Sequence, residues 1–263
     1  MVLFIPGFMQ RGDAWRPVAE LLPERYPSTL LDHGQHTLEG RLREIAEAAA
    51  GAEEAARARS AARAQEAELA RSAAEGAAAG RAGRTVLVGY SLGGRLGLRA
   101  ALRDPGRYAG LVTVGATAGI DEAQTRSARA DADDRLAAWI EAAPIEDVVG
   151  VWERQPLFAD QSDKLIQEQR PGRLSHDPVS LAMLLRTAGQ GVLEPVWYEL
   201  LRLDLPVLAI AGARDEAYAS AARRIAETAP HGRFAIVEEA GHAPQLQRPA
   251  EVARLLEEFL DSV

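Results

Sequence analysis

Six short apolar runs, each closing on a glycine or a polar turn, constrain this chain more than any other feature. They are VLFIPG (2–7), STLLDH (28–33), RTVLVG (84–89), GLVTVG (110–115), PVLAIAG (206–212) and RFAIVE (233–238). Stretches with helical spacing separate them, at 15–22, 92–102, 219–229 and 252–259. A run that is apolar throughout has no solvent face, so these read as strands covered on both sides. Strands alternating with helices give βαβ units and an α/β chain with a mostly parallel, doubly wound sheet. Such a sheet presents ligands at the carboxyl ends of its strands.

Two stretches interrupt the alternation. Residues 48–80 are rich in Ala, Glu and Arg, with Leu69 the only large apolar side chain. Helix propensity there is high, but no apolar stripe demands burial, so an extended, solvated surface helix is expected. Residues 116–200 hold Trp139, Trp152 and Trp197, three of the four tryptophans, and are far longer than a crossover needs. They read as a helical cap. The expected organisation is a core of 1–115 and 201–263, an insertion at about 48–80, and a cap at 116–200.

Composition removes several function classes. The formal charge of −8 disfavours nucleic acid and anionic membranes as partners, because phosphates are repelled on average. No cysteine is present, which excludes disulfides, thiolate metal sites and a catalytic thiol. The segment MVLFIPGF lacks the basic start of a secretory signal, and the run at 205–213 is too short for a bilayer. A soluble cytoplasmic protein is expected, as a monomer or small homo-oligomer. His33 and His36 in DHGQH lack an obvious third ligand, so no metal and no cofactor is expected.

The chemistry concentrates at strand ends. Gly89-Tyr90-Ser91-Leu92-Gly93 is a G-x-S-x-G pattern between an apolar strand and a helix. Its glycines admit a sharp turn that projects the serine hydroxyl at a helix N-terminus. Asp215 follows the run at 206–212 and His242 follows the run at 233–238. The chain order Ser, acid, His at three strand ends marks Ser91, Asp215 and His242 as a catalytic triad. The turn after the first run, IPGFMQRG, offers the N–H of Phe8 to pair with that of Leu92 as an oxyanion hole. Arg95 sits in the first turn of the helix that Ser91 opens, where the helix dipole disfavours a cation by ~0.3–1 kcal/mol. An anionic substrate at that spot would offset the cost.

With GYSLGGR, GARDEAY and EAGHAPQ in place, the chain resembles the α/β-hydrolase superfamily along nearly its whole length. Within it, GYSLGGR, VWERQPLF (151–158), QRPGRLSHDPVSLAMLL (169–185) and GFMQRGDAW (7–15) are most similar to one branch. These are the menaquinone-pathway 2-succinyl-6-hydroxy-2,4-cyclohexadiene-1-carboxylate synthases. The resemblance implies an α/β-hydrolase fold and elimination of pyruvate from an enolpyruvyl cyclohexene polycarboxylate, with the triad serine as base. It further implies that Tyr90, Arg95, Arg129, Trp152 and Arg173 hold the substrate's carboxylates and ring. The departures are Pro6-Gly7 in place of His-Gly, LDHGQHTLEG without the usual proline-glycine, and no first N-terminal hairpin. The competing expectation is a carboxylesterase or carbon–carbon bond hydrolase that uses Ser91 as nucleophile.

Overall fold

The computed structural model describes residues 1–68 and 83–263. Its centre is a six-stranded, wholly parallel sheet in the order β2-β1-β3-β4-β5-β6. In chain order these are β1 (Val2–Ile5), β2 (Ser28–Leu30), β3 (Thr85–Tyr90), β4 (Tyr108–Val114), β5 (Val207–Gly212) and β6 (Gly232–Val237). Between β1 and β3 lie α1 (Arg16–Ala19) and α2 (Leu38–Glu68), and α3 (Leu92–Arg103) joins β3 to β4. Between β4 and β5 run α4 (Ala123–Ala142), α5 (Ile145–Glu153), α6 (Asp163–Leu174), α7 (Pro178–Ala188) and α8 (Trp197–Leu200). The chain closes with α9 (Glu216–Thr228), β6, α10 (Pro244–Gln247) and α11 (Pro249–Leu260).

Alternation along the strands divides the core in two. Leu3 and Ile5 of β1, Leu87 of β3 and Leu111 of β4 point to one face, where α2, α3 and α9 supply Ile45, Leu96 and Ile225. Val2, Phe4, Val86, Val88 and Val112 point to the other, against Trp15, Val18 and the α11 residues Val252, Leu256 and Phe259. Each such aliphatic or aromatic side chain withdrawn from water is worth ~1.5–3 kcal/mol, so both helical layers are held mainly by apolar burial. Trp15 is fully buried, and its indole Nε1 donates to Ile5 O at 3.1 Å, tying the turn after β1 to the strand itself.

Some elements differ from expectation for local reasons. The helix expected over 15–22 is a 3-10 turn, Gly12–Trp15, followed by the single helical turn of α1. Past Ala19 the chain tightens, with Leu21 N donating to Val18 O and Leu22 N to Ala19 O, and Pro23 disfavours helical backbone at Leu22. The second run pairs only over Ser28–Leu30, because Asp32 turns back and its Oδ1 accepts from Gly12 N at 2.6 Å. The last run is not buried throughout: β6 is an edge strand, with Phe234 exposed beneath the Arg223 guanidinium. The alanine-rich helix starts at Leu38, ten residues before 48. Leu42, Ile45, Ala49 and Ala52 bury one face, whereas residues 57–60 are exposed. The portion of that expectation from Leu69 to residue 80 lies outside the described residues. Among the described residues no helix is long and apolar enough to cross a membrane.

This split of α2 into a packed and a solvated part is testable by urea unfolding. Ile45→Ala, at a fully buried position, is expected to cost about 2–4 kcal/mol, as other core truncations do. Arg59→Ala, on the exposed part, is expected to stay within about 0.5 kcal/mol of the wild type.

Candidate active site

Ser91 occupies the junction of β3 and α3 with φ 49° and ψ −110°, a backbone conformation that L-residues rarely adopt. Contacts that only glycine permits hold it there. A Cβ on Gly89 would lie 2.3 Å from Gly93 O, and one on Gly93 would lie 2.3 Å from Ile5 O. The start of α3 is thus pressed against both its own strand and β1. Ser91 N donates to Val114 O at 2.8 Å, which fastens the turn to β4 as well.

The other two expected members arrive from neighbouring strand ends. Asp215 follows β5 and caps α9, its Oδ1 accepting from Tyr218 N at 3.3 Å. Its Oδ2 lies 2.7 Å from His242 Nδ1, and His242 Nε2 lies 3.3 Å from Ser91 Oγ. The capping role and the histidine contact use different oxygens of one carboxylate, so neither excludes the other. Gly115, at φ +54°, lets the histidine loop approach, since a Cβ there would meet His242 O at 2.7 Å. His242 is only 3 % exposed. A serine hydroxyl bonded to an imidazole that a carboxylate orients is able to give up its proton and act as base or nucleophile.

These groups open into a cavity of about 280 Å³. Every residue expected at the site from sequence lines it except Asp215, which stands behind His242. The sheet edge contributes Phe8, Tyr90, Ser91 and Leu92, while Arg129, Trp152 and Arg173 come down from α4, α5 and α6. Helices between β4 and β5 therefore roof the carboxyl edge of the sheet. Phe8 and Trp152 stack with ring centroids 5.1 Å apart, joining the turn after β1 to that roof. Pro6-Gly7 positions this turn closely: a Cβ on Gly7 would sit 2.7 Å from the Tyr90 ring. Burial pushes the Tyr90 phenol well above its ordinary pKa, so it stays protonated.

The three arginines have different surroundings. Arg173 is buried and its Nη1 meets Glu153 Oε1 at 3.1 Å; Glu153 also pairs with Arg170. Arg129 pairs through Nε with the buried Asp133 at 2.8 Å and reaches Gln190 Oε1 at 3.2 Å. Arg95 has no ion-pair partner among the described residues, and its Nη1 is buried without a hydrogen bond. Burial lowers the Arg95 pKa; of its neighbours, Tyr218 and Asp133 act to raise it and the Arg129 cation to lower it. A cation without an ion-pair partner is favourable for an added anion.

Sequence reasoning passed over Tyr218, Gln155, Gln161 and Asp133, all of which line the cavity. Tyr218 packs its ring 4.5 Å from that of His242. Its backbone N donates to the capping Asp215, but no motif marks its ring. Gln161 Oε1 is buried with no partner, a further polar atom left open beside the cavity. No sequence motif marks the glutamines.

Comparison with known proteins agrees with the geometry. The profile of the alpha/beta hydrolase family matches residues 2–255. The chain belongs to the α/β-hydrolase family. It is 33% identical over 180 residues to a Bacillus subtilis protein provisionally named a 2-succinyl-6-hydroxy-2,4-cyclohexadiene-1-carboxylate synthase, covering 67% of this chain and 66% of that one. An Enterobacter protein named as the same synthase is 25% identical over 259 residues, covering 98% of this chain and 91% of the relative. The structure of MenH from S. aureus superimposes with a TM-score of 0.82 at 21% identity, over 99% of this chain and 93% of that one. That structural likeness confirms the α/β-hydrolase fold.

The contrast between the arginines predicts opposite effects on stability. Arg95→Met removes an unpaired, partly buried charge and is expected to raise the thermal midpoint by about 2–4 °C, equivalent to roughly 1 kcal/mol. Glu153→Ala strands Arg173 and is expected to destabilise by roughly 3–5 kcal/mol in calorimetry.

Proposed function

We propose that the protein is a pyruvate-eliminating lyase acting on 2-succinyl-5-enolpyruvyl-6-hydroxy-3-cyclohexene-1-carboxylate. The observation that carries this reading is the unpaired Arg95 guanidinium opening onto the same cavity as Ser91. An ester substrate needs no cation there. A polycarboxylate does, and its carboxylate would complete the hydrogen bonds that Arg95 lacks. The named relatives support the same reaction class.

In this reading Ser91 is the base and Asp215 holds the His242 ring in the orientation that accepts the serine proton. The serine oxygen takes a ring proton, and the electron pair left on carbon moves through the ring. The bond from the ring to the enolpyruvyl oxygen breaks, pyruvate leaves as its enolate, and a proton returns to that enolate. Negative charge builds transiently on the succinyl ketone oxygen, and the N–H groups of Phe8 and Leu92 are assigned to receive it. Tyr90, Arg95, Arg129, Trp152 and Arg173 form the substrate-binding wall. Arg129 and Arg173 already hold carboxylates, so they bind substrate as members of ion-pair networks and not as free cations.

The second reading is a carboxylesterase or carbon–carbon bond hydrolase, in which Ser91 attacks a carbonyl. The aromatic part of the cavity, Phe8, Trp152 and Phe158, is the observation in its favour.

Pyruvate release, followed through lactate dehydrogenase, separates the two. Wild-type protein is expected to release pyruvate from the enolpyruvyl substrate, with a loss of about 10³-fold or more in kcat for Ser91→Ala. Arg95→Ala is expected to lose at least about 100-fold in kcat/KM, corresponding to about 2.7 kcal/mol of binding to the anion. Full turnover by Arg95→Ala, or a p-nitrophenol burst from short esters with no pyruvate release, overturns the lyase reading.

A further inference from the structure

A second cavity, of about 330 Å³, lies on the far side of the turn that carries Phe8. Gln10, Leu92 and Leu184 line both cavities, so the wall between them is one side chain thick in places. Its distinguishing group is Arg41, in the first turns of α2 and only 6 % exposed. Among the described residues the Nε and Nη1 atoms of Arg41 have no hydrogen-bond partner, and no carboxylate pairs with the guanidinium. Burial draws its pKa down to about 10, so it still carries its charge at neutral pH.

Each nearby carboxylate is engaged elsewhere. Glu44 Oε1 accepts from Gly34 N and Gln35 N, both at 2.8 Å, and its Oε2 faces His33 Nδ1 at 3.3 Å. Asp32 accepts from Gly12 N and pairs with Arg11 at 3.2 Å. Asp177 accepts from Ser180 through both N and Oγ. Two further ring nitrogens at the cavity, His33 Nε2 and His176 Nε2, are buried without partners. Burial, together with the Arg11 and Arg41 cations, pushes His176 down to about 4, which leaves its ring neutral at pH 7. A buried arginine with no ion-pair contact, only the more distant charge of Glu44, costs stability that an apolar side chain of the same size would not. Here it faces a cavity beside His176 Nε2, which as an N–H is able to donate to an anion.

We propose that this cavity is a carboxylate-binding subsite anchored by Arg41, with His176 donating a further hydrogen bond from Nε2. The carboxylate has two chemical sources, a carboxylated arm of a substrate held at Ser91 or a free small dicarboxylate. The site itself does not depend on which reaction Ser91 performs.

Succinate titration by calorimetry, with pyruvate release measured in parallel, tests the subsite and its source. The succinate binding that persists in Arg95→Met is expected to weaken at least about tenfold in Arg41→Met, a loss of about 1.4 kcal/mol. Arg41→Lys, which keeps the charge but not the planar fork, is expected to fall between the wild type and Arg41→Met. Unchanged circular dichroism and a thermal midpoint at or above that of the wild type show that Arg41→Met is folded. A KM raised about tenfold in Arg41→Met with kcat within about twofold identifies the substrate arm. An unchanged KM with lost succinate binding identifies a free dicarboxylate. Succinate binding that is abolished by Arg95→Met and untouched by Arg41→Met overturns the subsite, as does equal binding by all variants. The titration reads Arg41 directly, so it stands even if no pyruvate is released.

Discussion

The close approach of backbone to backbone at Gly89, Gly93 and Ile5 is the constraint on which the rest of the site depends. Ser91 is held at φ 49° because α3 starts within van der Waals contact of β1 and β3. Any side chain at Gly89 or Gly93 would displace that start, since the atoms it would meet are main-chain oxygens and carbons that cannot swing aside. The same contact fixes the turn after β1, and with it Phe8, relative to the helix N-terminus. Strain at Ser91 is thereby spread over a fully packed parallel sheet, which is rigid enough to sustain it.

Charge is distributed by an equally simple rule. Of the arginines in the roof of the cavity, Arg129 is exposed and Arg173 buried, and each has a buried carboxylate to match it. Arg95 and Arg41, on helices that start at or beside the sheet's carboxyl edge, do not. An unmatched cation withdrawn from water costs stability, so its place beside a cavity favours a ligand. The two unmatched groups flank one thin wall that includes Gln10 and Leu92.

Much of this was legible in the chain itself. Apolar strands, their parallel order and the Ser, Asp, His sequence follow from period and position alone, and the structure brings Ser91, His242 and Asp215 within hydrogen-bond reach. Boundaries set by short-range chemistry were less visible. The helix that apolar spacing extended tightened past Ala19, ahead of Pro23, and the edge position of β6 left Phe234 exposed. Tyr218 was missed because no motif marks its ring, which packs against His242. The glutamines of the cavity have no sequence signature at all.

By itself the sequence determined which residue types stand at which strand ends, because that depends on periodicity and on glycines at fixed offsets. It also placed Arg95 one helical turn from Ser91 and marked it as a cation in an unfavourable position. Only the tertiary structure decided which arginines carry counter-charges. Glu153 is 20 residues from Arg173. Asp133 shares a helix with Arg129, but its burial depends on Gly191, from beyond α7, donating to its second oxygen at 3.4 Å. Arg41 carries no sequence signal, and its burial beside a cavity is a product of folding. Pairing and desolvation are properties of positions in space, and segments far apart in the chain supply them.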